Sequence, residues 1–377
     1  MRSLRLLFVL GALVSALHLT SARAVGLDAA QRSAPARTYT NPVWAHDFPD
    51  PFIIHHGGMF YAYATETRVT GFQVMESPDL VHWTHRGIAL EVPWSRVHYW
   101  APEVVRRRGK FYMTYSALNP ATRKHDIGIA TSRSPLGPFT HRAVLVRGDQ
   151  NRVGVIDATV FLDRGRPYLI YSEEEPRRIV MATLSDDMLR TVGGITELIR
   201  PDRDWETGVT EAPTLVLRNG VYHLFYSAGW YQSGKRDPHY VVAHAASRSL
   251  TGPYVKTPQP ILRTAPGKVY GPGHQCVLQL PSGEWWMAYH GWDNQNEPRY
   301  GSNPLGRTLR IDRLVWLAGV PEVLGPSLDP RPAPRVEADR SAHSERSAEP
   351  AAAHGMTLAA VRARASSAGP RAVGAGQ

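Results

Sequence analysis

Short apolar runs alternating with polar positions and cut by glycine fill most of this chain, and five stretches share one layout. They run from Asp50 to Tyr61, Ala101 to Tyr112, Asp157 to Tyr168, Glu211 to Tyr222 and His274 to Trp285. Each passes from a small or polar anchor through an apolar strand and a Gly-containing turn to an aromatic residue that opens a second apolar strand. The aromatic falls eleven positions after the anchor in all five, and the anchors step by 51, 56, 54 and 63 residues. A unit of about 40 to 60 residues built of short strands predicts a β-propeller or a solenoid.

Later runs supply further strands to each unit. After FYAYATE comes Phe72-Gln-Val-Met-Glu-Ser; the second unit continues with Asp126-Ile-Gly-Ile-Ala-Thr-Ser, the third with Arg178-Ile-Val-Met-Ala-Thr-Leu, the fourth with Tyr240-Val-Val-Ala-His-Ala-Ala-Ser. SPLGPF in unit two is echoed by SLTGPY at the same place in unit four. The first repeat starts at Tyr39-Thr-Asn-Pro-Val, and the fifth ends with Arg307-Thr-Leu-Arg-Ile and Leu314-Val-Trp316. The expected fold is all-β: a five-bladed β-propeller over residues 39–325, with four-stranded antiparallel blades around a central channel.

Composition agrees, since 32 Gly and 30 Pro in 377 residues suit many short strands joined by turns. Residues 1–24 differ: an Arg-bearing start, an apolar run from Leu6 to Leu17 and an Ala22-Arg23-Ala24 end read as a secretory signal cut after Ala24. That run is too short to span a bilayer, and no later stretch approaches the roughly 18 apolar residues needed, so no membrane partner is expected. Residues 25–38 form a flexible lead-in. Residues 326–377, rich in Pro, Ala, Arg and Ser, are expected to be a disordered tail. The +10 formal charge is spread thinly: the leader holds three arginines and the tail seven against five acids, leaving about +5 for the rest. No stripe of Lys and Arg forms, which argues against nucleic acid. Cys276 stands alone inside QCVLQL, so neither a disulfide nor a zinc site is available to it, and a monomer held by packing is expected.

In a propeller the innermost strands line the central channel, so residues opening equivalent strands meet around one mouth. Asp50, Ala101, Asp157, Glu211 and His274 then converge. Three carboxylates in one place are costly as packing, because like charges and lost hydration raise each other's pKa. They suit chemistry in which one carboxyl stays protonated while another stays ionised. Blander readings exist for each: Asp50 before Pro51 is also a turn residue, Glu211 a surface ion-pair partner, Asp157 a buried hydrogen-bonding acid, and Tyr115, Tyr171 and Tyr226 are blade core.

The set Asn41-Pro, Asp50-Pro-Phe, Trp100-Ala-Pro-Glu-Val, Ile156-Asp157-Ala, Thr210-Glu211-Ala-Pro, Gly273-His274-Gln and Gly306-Arg307 resembles the successive motifs of glycoside hydrolase family 43. That family comprises five-bladed arabinanases, arabinofuranosidases and β-xylosidases, and the likeness covers Asn41 to Pro321. It implies an inverting hydrolase with Asp50 as general base, Glu211 as general acid and Asp157 orienting that acid and raising its pKa. Trp100, His274 and Arg307 would bind substrate. His274 would also help hold an optional calcium ion through water, with no cofactor required. The implied substrate is an arabinan or xylan-type polysaccharide or oligosaccharide outside the cell, α-L-arabinan first. The alternatives are a β-xylosidase of the same family, a non-catalytic glycan-binding propeller, and a phosphorylase or transferase, for which His274 and Arg307 alone make a poor phosphate cradle.

Overall fold

Two-residue turns set the length of the inner strand pairs. Gly57-Gly58, Arg108-Gly109, Arg164-Gly165 and Asn219-Gly220 all sit at positive φ, between 48° and 81°. Their twist matches that of the strands they join. A computed structural model describes residues 37–337, apart from 66–70, 92, 96, 149–153, 176, 232–238, 266–268 and 294–305. The expected signal over residues 1–24, the expected lead-in up to residue 36 and everything after 337 lie outside the described residues.

Five antiparallel sheets form the blades, and a sixth, of two strands, lies at the ends of the described residues. Blade 1 runs Phe52–His56, Met59–Ala64, Phe72–Ser77, Thr84–Leu90, and blade 2 runs Trp100–Arg107, Lys110–Leu118, His125–Ser132, Thr140–Val146. Blade 3 is Val155–Asp163, Arg166–Glu174, Arg177–Leu184, Thr191–Ile199; blade 4 is Thr210–Arg218, Val221–Ala228, Val241–Ser247, Val255–Lys256. Blade 5 contains Val269–Gln279, Trp285–Asp293 and Arg307–Leu317, which also pairs with Val320–Val323. The inner strands contact one another in cyclic order, the fifth meeting the first. Apolar clusters fill the spaces between blades, and Tyr115, Tyr171 and Tyr226 belong to them, as expected. Cys276 is likewise buried core, its thiol pushed up to about 12 by burial.

Two sequence expectations shift. The segment that opens the first repeat does not join blade 1: Trp44–Asp47 pairs with Arg307–Leu317 and completes blade 5. The N-terminal strand thereby closes the ring. The chain also stays packed beyond Gly325, against the expected start of a tail at 326. Arg331–Pro332 pairs with Thr38–Tyr39, and Arg335 binds the buried Glu284 through Nε at 2.7 Å. Beneath that ribbon, Asp312 is fully buried and accepts hydrogen bonds from Tyr289 Oη (2.6 Å), Ser327 Oγ (2.6 Å), Ser327 N (3.1 Å) and Tyr39 Oη (3.3 Å). A buried carboxylate needs such donors.

Ser327→Ala deletes one of those donors and should lower the unfolding free energy by about 1–3 kcal/mol, the range for stripping a partner from a buried polar group. Denaturant melts check this; a loss below about 0.5 kcal/mol, typical of a surface change, would remove Asp312 and Ser327 from the closure.

Candidate active site

The site starts from a backbone feature. Asp50, Ala101, Asp157, Ala212 and His274, one per blade, all take φ between 48° and 56°. A left-handed conformation is unfavourable for a residue with a Cβ. It persists because each amide is caught by a neighbouring group: Ala101 N by Thr65 Oγ1 (2.8 Å), Asp157 N by Ser116 Oγ (3.1 Å), Ala212 N by Asp157 Oδ2 (3.2 Å), His274 N by Ser227 Oγ (2.8 Å) and Asp50 N by His290 Nδ1 (3.1 Å). The anchor of blade 4 is therefore Ala212, not Glu211, and eleven positions on from it is His223. Glu211 occupies the position just before the anchor, the same one Trp100 holds in blade 2. One residue of register sends a side chain to the other face of a strand.

Asp50 is buried among donors. Thr65 Oγ1 donates to Oδ2 at 2.5 Å and Arg307 Nη1 to Oδ1 at 2.9 Å, while His274 Nδ1 and His290 Nδ1 lie 3.3 and 3.1 Å from Oδ1. Burial alone would raise its pKa, yet the Arg307 guanidinium above all holds the carboxyl well below the usual range. Burial also lowers both imidazoles, His290 to about 4, so Arg307 carries the charge in this cluster at neutral pH. Asp50 is a carboxylate throughout the working range.

Glu211 is treated oppositely. Burial raises its pKa first and the charges of Asp50 and Glu174 add to it, outweighing the opposing bond from Tyr240 Oη (2.7 Å to Oε1) and the Arg177 guanidinium (3.3 Å to Oε2). Asp157 is buried and raised well above its ordinary value, by burial and then by Glu211 and Asp50. Glu211 thus pushes Asp157 up, whereas what raises Glu211 is burial first, then Asp50 and Glu174. Asp157 also grips the chain beside Glu211 through the Ala212 amide.

The expected binding residues lie around this centre. Trp100 is half-buried at the rim, its ring 4.1 Å from that of His125 and 4.9 Å from that of His98. His274 and Arg307 both contact Asp50. Among the described residues no three His, Cys, Asp or Glu side chains gather to hold a metal directly, and Asp50, whose Oδ1 lies 3.3 Å from His274 Nδ1, is already engaged by Arg307. A hard cation wants several oxygens.

Inner-strand reasoning did not reach a second ring of groups, of which the family resemblance had named Arg307 alone. His125, Arg177 and Arg307 open the third strands of blades 2, 3 and 5, and Tyr240 immediately precedes that of blade 4. His125 Nδ1 lies 3.3 Å from Glu174 Oε2. The Tyr240 ring lies parallel to His290 with centroids 5.7 Å apart, in a slot that exists because Gly273 has no side chain: a Cβ there would come within 2.0 Å of Tyr240 Cδ1. The signal was present in the sequence as a His, Arg or Tyr one or two residues before the third-strand apolar run in blades 2 to 5.

A propeller mouth in which Asp50 is pushed toward the ionised form and Glu211 and Asp157 toward the protonated form has the equipment of a glycoside hydrolase. The chain belongs to that class, and specifically to glycosyl hydrolases family 43, whose model matches residues 39–321. It is 30% identical over 271 residues to the β-D-galactofuranosidase xynD of Aspergillus niger, covering 66% of this chain and 75% of that protein. It is 27% identical over 292 residues to the extracellular endo-α-(1→5)-L-arabinanase 1 of Bacillus subtilis, covering 72% and 86%. The fold superposes on the crystal structure of a thermostable family-43 glycoside hydrolase with a TM-score of 0.72, at 34% identity over 79% of this chain and 99% of the other.

Tyr240→Phe removes a hydrogen bond that favours ionised Glu211, so the titration midpoint of that carboxyl should rise. Carboxyl ¹³C shifts followed against pH measure it; an unchanged or lower midpoint would mean that Tyr240 does not govern the acid.

Proposed function

We propose that this glycosidase is exported and hydrolyses arabinose-containing polysaccharides or oligosaccharides, α-L-arabinan first, by single displacement with inversion. Asp50 is the general base, Glu211 the general acid, and Asp157 the group that fixes the acid's place. The observation carrying this reading is the contrast between two carboxyls in one mouth: Arg307, 2.9 Å from Asp50 Oδ1, pushes that carboxyl toward the ionised form, and burial pushes Glu211 toward the protonated one. Asp50 takes a proton from water as the water oxygen bonds to the anomeric carbon. The glycosidic C–O bond breaks, and Glu211 gives its proton to the departing sugar oxygen. The product is a free sugar of opposite anomeric configuration, with Asp50 protonated and Glu211 ionised until solvent resets both.

Arg307 does two things here. It keeps the base charged, and its remaining donors face the bound sugar as a fixed fork. The arabinan preference draws support from the endo-arabinanase relative, and export from the leader-like residues 1–24 together with that relative's extracellular description.

The test is ¹H NMR of the first-formed anomer on linear α-1,5-arabinan, an aryl arabinoside and an aryl xyloside, with Asp50→Ala and Glu211→Ala alongside. Each variant should lose at least about 10³-fold in kcat on arabinan, as expected for removing a positioned acid or base. Glu211→Ala should keep far more activity on a glycosyl fluoride, whose leaving group needs little protonation. Retained anomeric configuration, or arabinan hydrolysis surviving either substitution, would overturn the mechanism; turnover of xyloside alone would move the substrate to the xylan type.

The pH profile follows from the same assignments. The base must be ionised, so kcat/KM falls as pH drops through Asp50's lowered pKa; the acid must be protonated, so it falls as pH rises through Glu211's raised one. Arg307→Ala should shift the acidic limb to higher pH, and an acidic limb left in place would detach Arg307 from the base.

A further inference from the structure

We propose that Trp230 is the platform for the sugar on the leaving-group side of the cleaved bond, a binding subsite for a neutral pyranose or furanose ring. The proposal rests on the reading of Glu211 as proton donor. A donor must lie within hydrogen-bond reach of the oxygen it protonates. The ring carrying that oxygen therefore sits next to Glu211, on the side that opens to solvent.

A line of contacts leads outward from the acid in that direction. Arg177 Nη1 lies 3.3 Å from Glu211 Oε2, and the Arg177 guanidinium lies over the Trp230 ring at 5.5 Å. Side-chain exposure rises along it, from 13% at Glu211 to 28% at Arg177, and Trp230 beyond is 39% exposed. Trp230 is the most exposed of the ten tryptophans. A lone exposed apolar residue is ordinary on a protein surface; this one stands one side chain away from the acid.

The platform is also held in place. Gly229, at φ 83°, starts the segment, and a Cβ there would come within 2.4 Å of the His239 carbonyl oxygen. The Tyr231 carbonyl accepts a hydrogen bond from Trp292 Nε1 at 2.9 Å, and the rings of Trp230 and Tyr231 lie 5.6 Å apart. Tyr231 in turn faces the Arg307 guanidinium at 5.0 Å. The adjacent pair Trp230-Tyr231 thus abuts both arginines that touch the working carboxyls, Arg177 at Glu211 and Arg307 at Asp50. Flat apolar faces with polarised edges suit the C–H faces of sugar rings, and fixing the ring in advance spares ordering cost on binding.

The experiment compares two substrates of whichever pentose the wild type cleaves: the disaccharide, which places a sugar on the platform, and the glycosyl fluoride, which does not. Trp230→Ala should lower the disaccharide-to-fluoride ratio of kcat/KM at least tenfold, mostly through KM, and Trp230→Phe should restore most of it. An unchanged ratio overturns the subsite. So does a fall on both substrates together with a basic limb moved to higher pH, because that is the signature of Trp230 merely steadying Arg177. Glu211→Ala cleaving the disaccharide at wild-type rate would instead sink the acid assignment, and this outcome is independent of the Trp230 ratio.

Discussion

The pairing of Trp44–Asp47 with Arg307–Leu317 is the contact on which the site depends. It joins the first blade-forming strand of the chain to the third strand of blade 5. It also carries Asp50, three residues further on, to Arg307, a partner 257 positions away in sequence. The seam is tight: Asp47 Oδ1 accepts the Arg307 amide at 2.8 Å, Phe48 N donates to Arg307 O at 2.9 Å, and a Cβ on Gly306 would come within 2.2 Å of Asp47. Closing the ring and bringing the Arg307 cation to Asp50 are one structural event.

The same economy runs around the mouth. Five residues with side chains adopt left-handed backbone at a cost of ~1–2 kcal/mol each, and each amide is received by a group that is itself part of the site or next to it. At Asp50 the receiver is His290, which also faces the carboxylate. At Ala212 it is Asp157, so a carboxyl with a raised pKa is tied to the backbone beside the acid. By repeat position, Ser172 of blade 3 stands where Ser116 and Ser227 stand in theirs, and its hydroxyl has no partner among the described residues. Asp157 has taken its place. The exchange leaves one buried hydroxyl unpaired, which costs stability, and brings a carboxylate oxygen to the peptide that follows Glu211.

Much of this was legible in the sequence because strand geometry is local. Gly-containing two-residue turns and period-2 alternation fixed the inner hairpins, and their recurrence fixed the number of blades. What the pattern could not carry was register and closure. Glu211 stands eleven residues before Tyr222 just as Asp50 stands eleven before Tyr61, yet the structural match in blade 4 is Ala212 with His223, and only the turn at Asn219-Gly220 reveals the slip. Ring closure by Trp44–Asp47 and the packed ribbon at Arg331–Pro332 are long-range pairings of short, weakly patterned segments. Low apolar content made the stretch after Gly325 read as tail, whereas buried Asp312 and Glu284 hold it through polar bonds that composition does not register.

The second ring of side chains explains why inner-strand logic recovered three carboxyls but not their environment. Antiparallel blades return the chain to the same mouth at the start of every third strand, so His125, Arg177, Tyr240 and Arg307 face the anchors from one layer further out. The anchors set which acids meet. The outer ring acts on the charge each one holds: Arg307 lowers the pKa of Asp50, while Tyr240 and Arg177 oppose the rise that burial gives Glu211. Because Tyr240 and Arg177 favour the ionised form while burial favours the protonated one, Glu211 rests between opposing influences rather than at the extreme that burial alone would give. That balance is what a group needs if it must donate its proton in one step and take another from solvent in the next.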